Sequence, residues 1–193
     1  MAIPEDLKMT EKTRIRDASL DDVELVSRSV VSAAHLSDFA PESVYDEEFA
    51  EICSREDTLY SYRHARILTV DGVPVGCMVS YPGDIYGQAR EITFKMFTDV
   101  SQEVADATGT ETFPGEWYLD SLAVLPAHRN SGLGSLLIRD AIETGRSRGY
   151  RKFALIVEKS SPELQEYYSS FGFVPENDIN FFGDPYRRMI LEV

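Results

Sequence analysis

Apolar residues in this chain recur with two periods that trade places along its length, which predicts strands alternating with helices. Thr13 to Asp17 opens as a strand. Ser19-Leu-Asp-Asp22 then reads as a capping-box-like start to a helix that aligns Val23, Val26 and Val30 on one face. The acid-rich stretch from Pro41 to Asp57 carries a second helix, with Val44, Phe49 and Ile52 as candidate inward residues; a surface helix that merely solubilises the protein is the favoured reading. Ala65 to Val70 and Val73 to Tyr81 form two strands around Asp71-Gly72, a pair suited to a tight hairpin because both residues can take positive φ. Pro74 has no N–H to donate, so its strand is expected to start at an unpaired or edge position.

After Pro82-Gly83 the pattern is lost until Trp117. The stretch between holds Ile92, Phe94, Met96 and Phe97, then an acidic, threonine-rich run ending at Pro114-Gly115. Long connections of this kind tend to be functional or mobile, and its aromatics are expected to pack it onto the core. Order returns with a strand from Trp117 to Val124, an apolar-periodic helix from Ser135, a strand from Tyr150 to Val157, a helix from Ser161 to Ser170 and a closing strand from Pro185. No internal repeat, low-complexity tract or linker marks a second domain, so residues 1–193 are expected to form one.

The densest chemical signal lies between Leu122 and Gly134, which reads Leu-Ala-Val-Leu-Pro-Ala-His-Arg-Asn-Ser-Gly-Leu-Gly. Two glycines let a backbone turn close to a ligand, and the unpaired N–H groups and dipole of a following helix favour an anion there. Arg129 adds a planar cation suited to phosphate oxygens. Taken alone, the glycine pair fits an ordinary strand-to-helix connection equally well. A dinucleotide fingerprint would want a small residue where Leu137 stands, and the Gly-Lys-Ser/Thr of an NTPase loop is absent.

The whole string, Trp117-Tyr-Leu-Asp-Ser-Leu-Ala-Val, Leu125-Pro126 and Arg129-x-x-Gly132-x-Gly134, closely resembles the acetyl-CoA-binding segment of the GNAT superfamily of N-acetyltransferases. Its signature is Gln/Arg-x-x-Gly-x-Gly/Ala. Downstream, Ser161-x-x-Leu164-x-x-Tyr167-Tyr168-x-x-Phe171-Gly172-Phe173 resembles the family's Asn-x-x-Ala-x-x-Leu-Tyr-x-x-x-Gly-Phe, with Ser161 and Leu164 as departures. The resemblance implies an α/β fold: a GNAT-like mixed central sheet with helices on both faces, and acetyl-CoA between two splayed parallel strands. Pantetheine would lie along Leu122, Ala123 and Val124. The pyrophosphate would sit over Arg129, Asn130, Ser131, Gly132, Leu133, Gly134 and Ser135, and Ser161 and Tyr168 would complete the coenzyme contacts. Against the family's shorter link, 84–116 looks like an insertion.

The implied reaction is acyl transfer from a thioester to an amine by direct attack. An amine at neutral pH is mostly protonated and must lose a proton first. Asp120 stands in the strand where the family often carries a polar residue facing substrate; with its low ordinary pKa it suits an amine anchor or a water relay unless burial raises that pKa. Tyr118 shares its strand face by the two-residue period. The alternative for Asp120 is a hydrogen bond to a neighbouring loop. A backbone N–H of Leu122 to Val124 is the candidate oxyanion donor. Tyr168 matches the family position whose hydroxyl approaches the coenzyme sulfur and is the candidate acid. Packing is its alternative, since Tyr167 and Tyr168 cannot share a helix face and one of them is expected in the core. A non-catalytic acyl-CoA sensor on the same fold would keep Arg129 to Gly134 and need neither Asp120 nor Tyr168. A protein-interaction module would leave the glycine turn unexplained.

Composition narrows the partners. Thirty-three acidic against 19 basic side chains give a net charge of −14, which argues against a nucleic-acid surface. The acid favours a small cationic amine or a basic peptide end as acceptor, selected beside Asp120 by 41–57 and 84–116. Coenzyme phosphates must then be met by local donors; Arg146, Arg148, Arg151 and Lys152 fit a solvated helix end instead. Cys53 and Cys77 are expected as reduced thiols, and His35, His64 and His128 lack metal-ligand spacing, so no metal is expected. No apolar run approaches membrane-spanning length and the first residues lack a signal-peptide core, which points to the cytoplasm and away from a membrane. A homodimer is left open.

Overall fold

The computed structural model describes residues 12–33, 45–97 and 100–193. Val44, His35 and the first residues of the chain, on which some of the expectations above fall, lie outside them. Seven strands form one mixed sheet in the order β1-β2-β3-β4-β5-β7-β6: β1 Thr13–Asp17, β2 Ala65–Val70, β3 Val73–Pro82, β4 Glu116–Val124, β5 Lys152–Glu158, β6 Val174–Phe181 and β7 Asp184–Glu192. Among the described residues six α-helices accompany them: α1 Val23–Ala33, α2 Tyr45–Ser54, α3 Tyr86–Met96, α4 Gln102–Ala107, α5 Leu133–Ser147 and α6 Pro162–Ser169. By its contacts the chain divides into two compact units, Met1–Ser80 with Ser121–Thr144 and Tyr81–Asp120 with Gly145–Val193, and β3 and β4 each contribute to both.

In the first unit, the predicted capping box forms. The Ser19 N–H and hydroxyl both donate to Asp22 Oδ2, at 2.8 and 3.0 Å, and a 3-10 turn over Leu20–Asp22 leads into α1. Arg16 donates to both Asp22 oxygens at 2.7 Å and, with the Ser19 bonds, holds that carboxyl down to about 2. Val26, Val30 and Val31 are buried. So are Phe49, Ile52 and Cys53 of α2, which corrects the favoured reading of that helix: Glu47 and Glu51 are exposed, while the apolar residues at spacings of three and four build core. Fully burying a side chain of that size stabilises the fold by about 1.5–3 kcal/mol.

The hairpin turns on Asp71 (φ 51°) and Gly72 (φ 82°) as its sequence requires. Its second strand is not an edge, however, since β3 lies between β2 and β4. Pro74 is accommodated by a register shift between Leu68 and Thr69, which places Thr69 opposite Pro74. At Gly76 a Cβ would come within 3.1 Å of the Ala123 carbonyl oxygen and 3.3 Å of Leu137 Cδ1. The bare glycine thus lets β3 run close beside the end of β4 and the first turns of α5.

In the second unit, β4 and β5 pair in parallel through Glu116↔Lys152, Trp117↔Phe153 and Tyr118↔Ala154, and both strands continue past that ladder. Strand β5 stays paired on its other side with β7 as far as Glu158↔Tyr186. Trp117, Phe153, Phe173 and Met189 are buried here. Arg188, 1% exposed, forms ion pairs with Glu116 and Glu176 and donates from Nε to the Glu111 carbonyl at 3.0 Å. The stretch read as patternless contains α3 and α4, joined in part by Arg90, whose Nη2 donates to the Ala105 and Thr108 carbonyls.

Candidate active site

The turn expected to hold phosphate belongs to the first unit. Strand β4 ends at Val124, the Leu125 N–H donates to the Val75 carbonyl at 2.8 Å, and Pro126–His128 makes a 3-10 turn, with proline at a position that needs no donor. Arg129 is extended, and the chain then swings through positive φ at Asn130 (58°) and Gly132 (80°) before α5 begins at Leu133. Asparagine tolerates this region better than most side chains, and glycine has no Cβ to clash. The first N–H groups of α5 have no carbonyl four residues earlier within the helix, so the turn presents backbone donors with the positive end of the dipole behind them.

Arg129 Nε donates to the Val124 carbonyl at 3.0 Å, and the Ser131 hydroxyl donates to the His128 carbonyl at 2.5 Å. The first bond ties the guanidinium to the strand end. Leu122, Ala123 and Val124 are thus brought together with Arg129, Asn130, Ser131, Gly132, Leu133, Gly134 and Ser135 in a single strand–turn–helix of the first unit. Arg129, Asn130 and Ser131 are exposed and Gly132 to Ser135 half-buried. A dense donor set with one cation and low-hindrance backbone fits a pyrophosphate. Arg146 and Arg148 are exposed at the other end of α5, with Arg148 over the Trp117 ring at 5.1 Å.

In the second unit, Ser161 is the N-cap of α6 and Tyr168 lies two turns on. Neither Tyr167 nor Tyr168 is fully in the core, contrary to the expectation that one would be: both are half-buried, with ring centroids 5.6 Å apart. Gly172, at φ 98°, ends the helix, and Phe173 turns inward to be buried, its ring edge-on to Tyr168 at 6.2 Å. The Gly-Phe pair therefore seats the tyrosine. Burial, and secondarily Tyr167, pushes the Tyr168 hydroxyl up to about 12, so it stays protonated.

Asp120, also in the second unit, accepts a hydrogen bond from the Tyr81 hydroxyl at 2.5 Å, so this partner comes from β3. Tyr118, two residues before it on β4, is buried, packs on Tyr81 with ring centroids 5.6 Å apart, and donates to Glu111 Oε2 at 2.5 Å. The Tyr86 hydroxyl donates to Glu111 Oε1 at 2.8 Å. Two carboxylates and three phenols thus share one cluster, and Glu111, Tyr81 and Tyr86 were not singled out from sequence. Strand alternation singled out Tyr118 and could have flagged Tyr81 in the same way. Nothing in the acidic, threonine-rich run marks Glu111 as the residue turned inward.

Burial, then the charge of Asp120, raises Glu111 to about 8. Burial and the two carboxylates hold Tyr81 and Tyr118 far above the ordinary phenol range. Such a cluster can bind a cation and accept its proton. Among the described residues no group of His, Cys, Asp and Glu is arranged to hold a metal ion, and no helix is long and apolar enough to cross a membrane.

A model of the acetyltransferase (GNAT) family matches residues 31–173. No curated protein sequence matches the chain. Among solved structures, one described as an acetyltransferase is 25% identical, with 93% of this chain and 99% of that one covered at a TM-score of 0.73. An N-acetyltransferase from Staphylococcus aureus Mu50 is 18% identical over 92% and 100% of the two chains, with a TM-score of 0.76. The ribosomal-protein-S18-alanine N-acetyltransferase from Escherichia coli is 20% identical over 94% of each, with a TM-score of 0.58. The last two likenesses establish the fold.

Proposed function

This chain belongs to the acetyltransferase (GNAT) family, and on that footing we propose that it moves the acetyl group of acetyl-CoA to a primary amine, either a small cationic amine or a basic peptide end. The family assignment makes it an acetyl-CoA-dependent acyltransferase. Acetyl-CoA supplies the activated acetyl thioester. The turn from Arg129 to Ser135 binds the pyrophosphate, Leu122 to Val124 offer backbone groups to the pantetheine and an N–H to the developing oxyanion, and Ser161 adds a contact. Asp120 anchors the ammonium of the acceptor. Tyr168, always protonated, donates to the departing thiolate.

The observation that carries this reading is the backbone of the turn, positive in φ at both Asn130 and Gly132 and tied to the strand end by Arg129. Gly132→Val tests it. A β-branched residue is strained at φ 80° and obstructs a phosphate, so titration calorimetry should find acetyl-CoA binding abolished in a variant that still melts cooperatively. Unchanged affinity in the folded variant would remove the phosphate cradle.

A further inference from the structure

The carboxylate deepest in the tyrosine cluster is Glu111, 4% exposed, with each of its oxygens taken by a phenol hydroxyl. An ionised carboxylate so buried is costly unless a cation pairs with it. The nearest cations are engaged elsewhere: Arg90 on the Ala105 and Thr108 carbonyls and the Phe94 ring, and Arg188 with Glu116 and Glu176 while its Nε takes the Glu111 carbonyl rather than the carboxylate. The other groups facing Glu111 are Tyr86 of α3, Tyr118 and Asp120 of β4, Tyr81 of β3 and Tyr186 of β7. Three of the phenols are buried; the phenol hydrogen bonds and the charge of Arg90 favour the ionised carboxylate, but burial and then the charge of Asp120 outweigh them, so the surroundings favour the pair holding a proton.

We propose that Glu111 receives the proton the acceptor ammonium must lose, acting through Tyr118, while Asp120 remains charged and anchors the amine. This rests on the amine-acetylation reading above. Tyr118 and Asp120 share a face of β4, and Tyr81 bridges them by its ring contact with one and its hydrogen bond to the other. An N–H bond of the ammonium breaks as its proton passes to the Tyr118 oxygen. The Tyr118 O–H proton moves to Glu111 Oε2, forming a new O–H bond there and leaving the amine neutral with its lone pair free. Tyr118 itself never carries a lasting charge. Glu111 is a positioning residue in this scheme, since it acts through the phenol, and it returns the proton to solvent after turnover.

The test is a pH–rate profile with acetyl-CoA and agmatine, putrescine or a lysine-bearing hexapeptide, whichever the wild type acetylates fastest. A base works when ionised, so kcat/KM should rise with a limb well above the ordinary carboxylate range, where the buried Glu111 loses its proton. Glu111→Gln should remove that limb and lower kcat/KM by roughly a hundred- to ten-thousand-fold, with acetyl-CoA affinity retained. Asp120→Asn removes a like charge and should move Glu111 ionisation to lower pH. Tyr118→Phe removes a donor to the carboxylate and should move it higher. Carboxyl-carbon NMR of glutamate-labelled protein reads these shifts directly, whatever each variant's activity, with the Glu111 signal assigned by its loss in Glu111→Gln. An active wild type whose limb survives in Glu111→Gln, or a Glu111 signal that titrates in the ordinary carboxylate range, overturns the proposal and leaves amine acetylation standing. A wild type that acetylates none of the three amines overturns both.

Discussion

Tyr168 occupies a half-buried place on α6, seated by the ring of Phe173 and held far from ionisation. Removing its hydroxyl while keeping the ring should leave that packing intact, so Tyr168→Phe separates chemistry from structure. Turnover is expected to fall by roughly a hundred- to ten-thousand-fold, with acetyl-CoA affinity little changed, if protonation of the thiolate limits the rate. Single-turnover kinetics give the comparison, and equal rates for the two proteins would take Tyr168 out of the mechanism. Because the phenol is pushed up to about 12 rather than down toward neutrality, it should add no descending limb to the rate below that pH. Asp120 is the opposite kind of residue. Its bond to Tyr81 comes from a strand some forty positions earlier in the chain, a partner that no local motif announces.

Elements with a short period and a punctuating residue were legible in the sequence. The capping box at Ser19, the Asp71-Gly72 hairpin, the turn into α5 and the Gly-Phe stop after α6 all rest on local backbone chemistry. What escaped depends on tertiary context. Helix α2 reads as acidic surface because charge dominates its composition, yet Phe49, Ile52 and Cys53 suffice for a buried stripe. Helices α3 and α4 mix polar and aromatic residues too evenly to show a period, and β6, with most of its residues exposed, has no apolar alternation to read. Within the site, the glycine turn was visible for the same local reason, whereas Glu111 took its character from tyrosines on three other elements or segments.

Helix α5 offers a check at this scale. A Cβ on Gly145 would sit 2.6 Å from both Phe153 Cε1 and Trp117 Cγ, two buried rings with little room to move. Alanine is about 1 kcal/mol better than glycine in a helix, but overpacking of this kind costs about 1–3 kcal/mol. Gly145→Ala should therefore be neutral to destabilising against its helix propensity, seen as a lower urea midpoint at unchanged slope. A clear gain in stability would mean that the aromatic packing against α5 is looser than described.

At the scale of the whole molecule, a net charge of −14 sets a field that draws cations and repels the polyanionic coenzyme, so the proposed site meets acetyl-CoA with the local donors of one turn. The same field stabilises the protonated, unreactive amine, which is why a buried proton acceptor matters to the reading. Surface attraction of this kind is screened over about 8 Å at physiological ionic strength, whereas the direct ammonium contact proposed for Asp120 is screened much less. Preference for cationic acceptors should accordingly weaken, but persist, as salt rises. The most direct test incubates the protein with acetyl-CoA and a mixture of cationic, neutral and anionic amines at low and high salt, and weighs every amine by mass spectrometry. The account predicts one added acetyl group on the cationic members first, with free CoA released in equal amount and the margin narrowing at high salt. Acetyl-CoA bound but returned intact with no amine acetylated, or an anionic amine acetylated first regardless of salt, would contradict it.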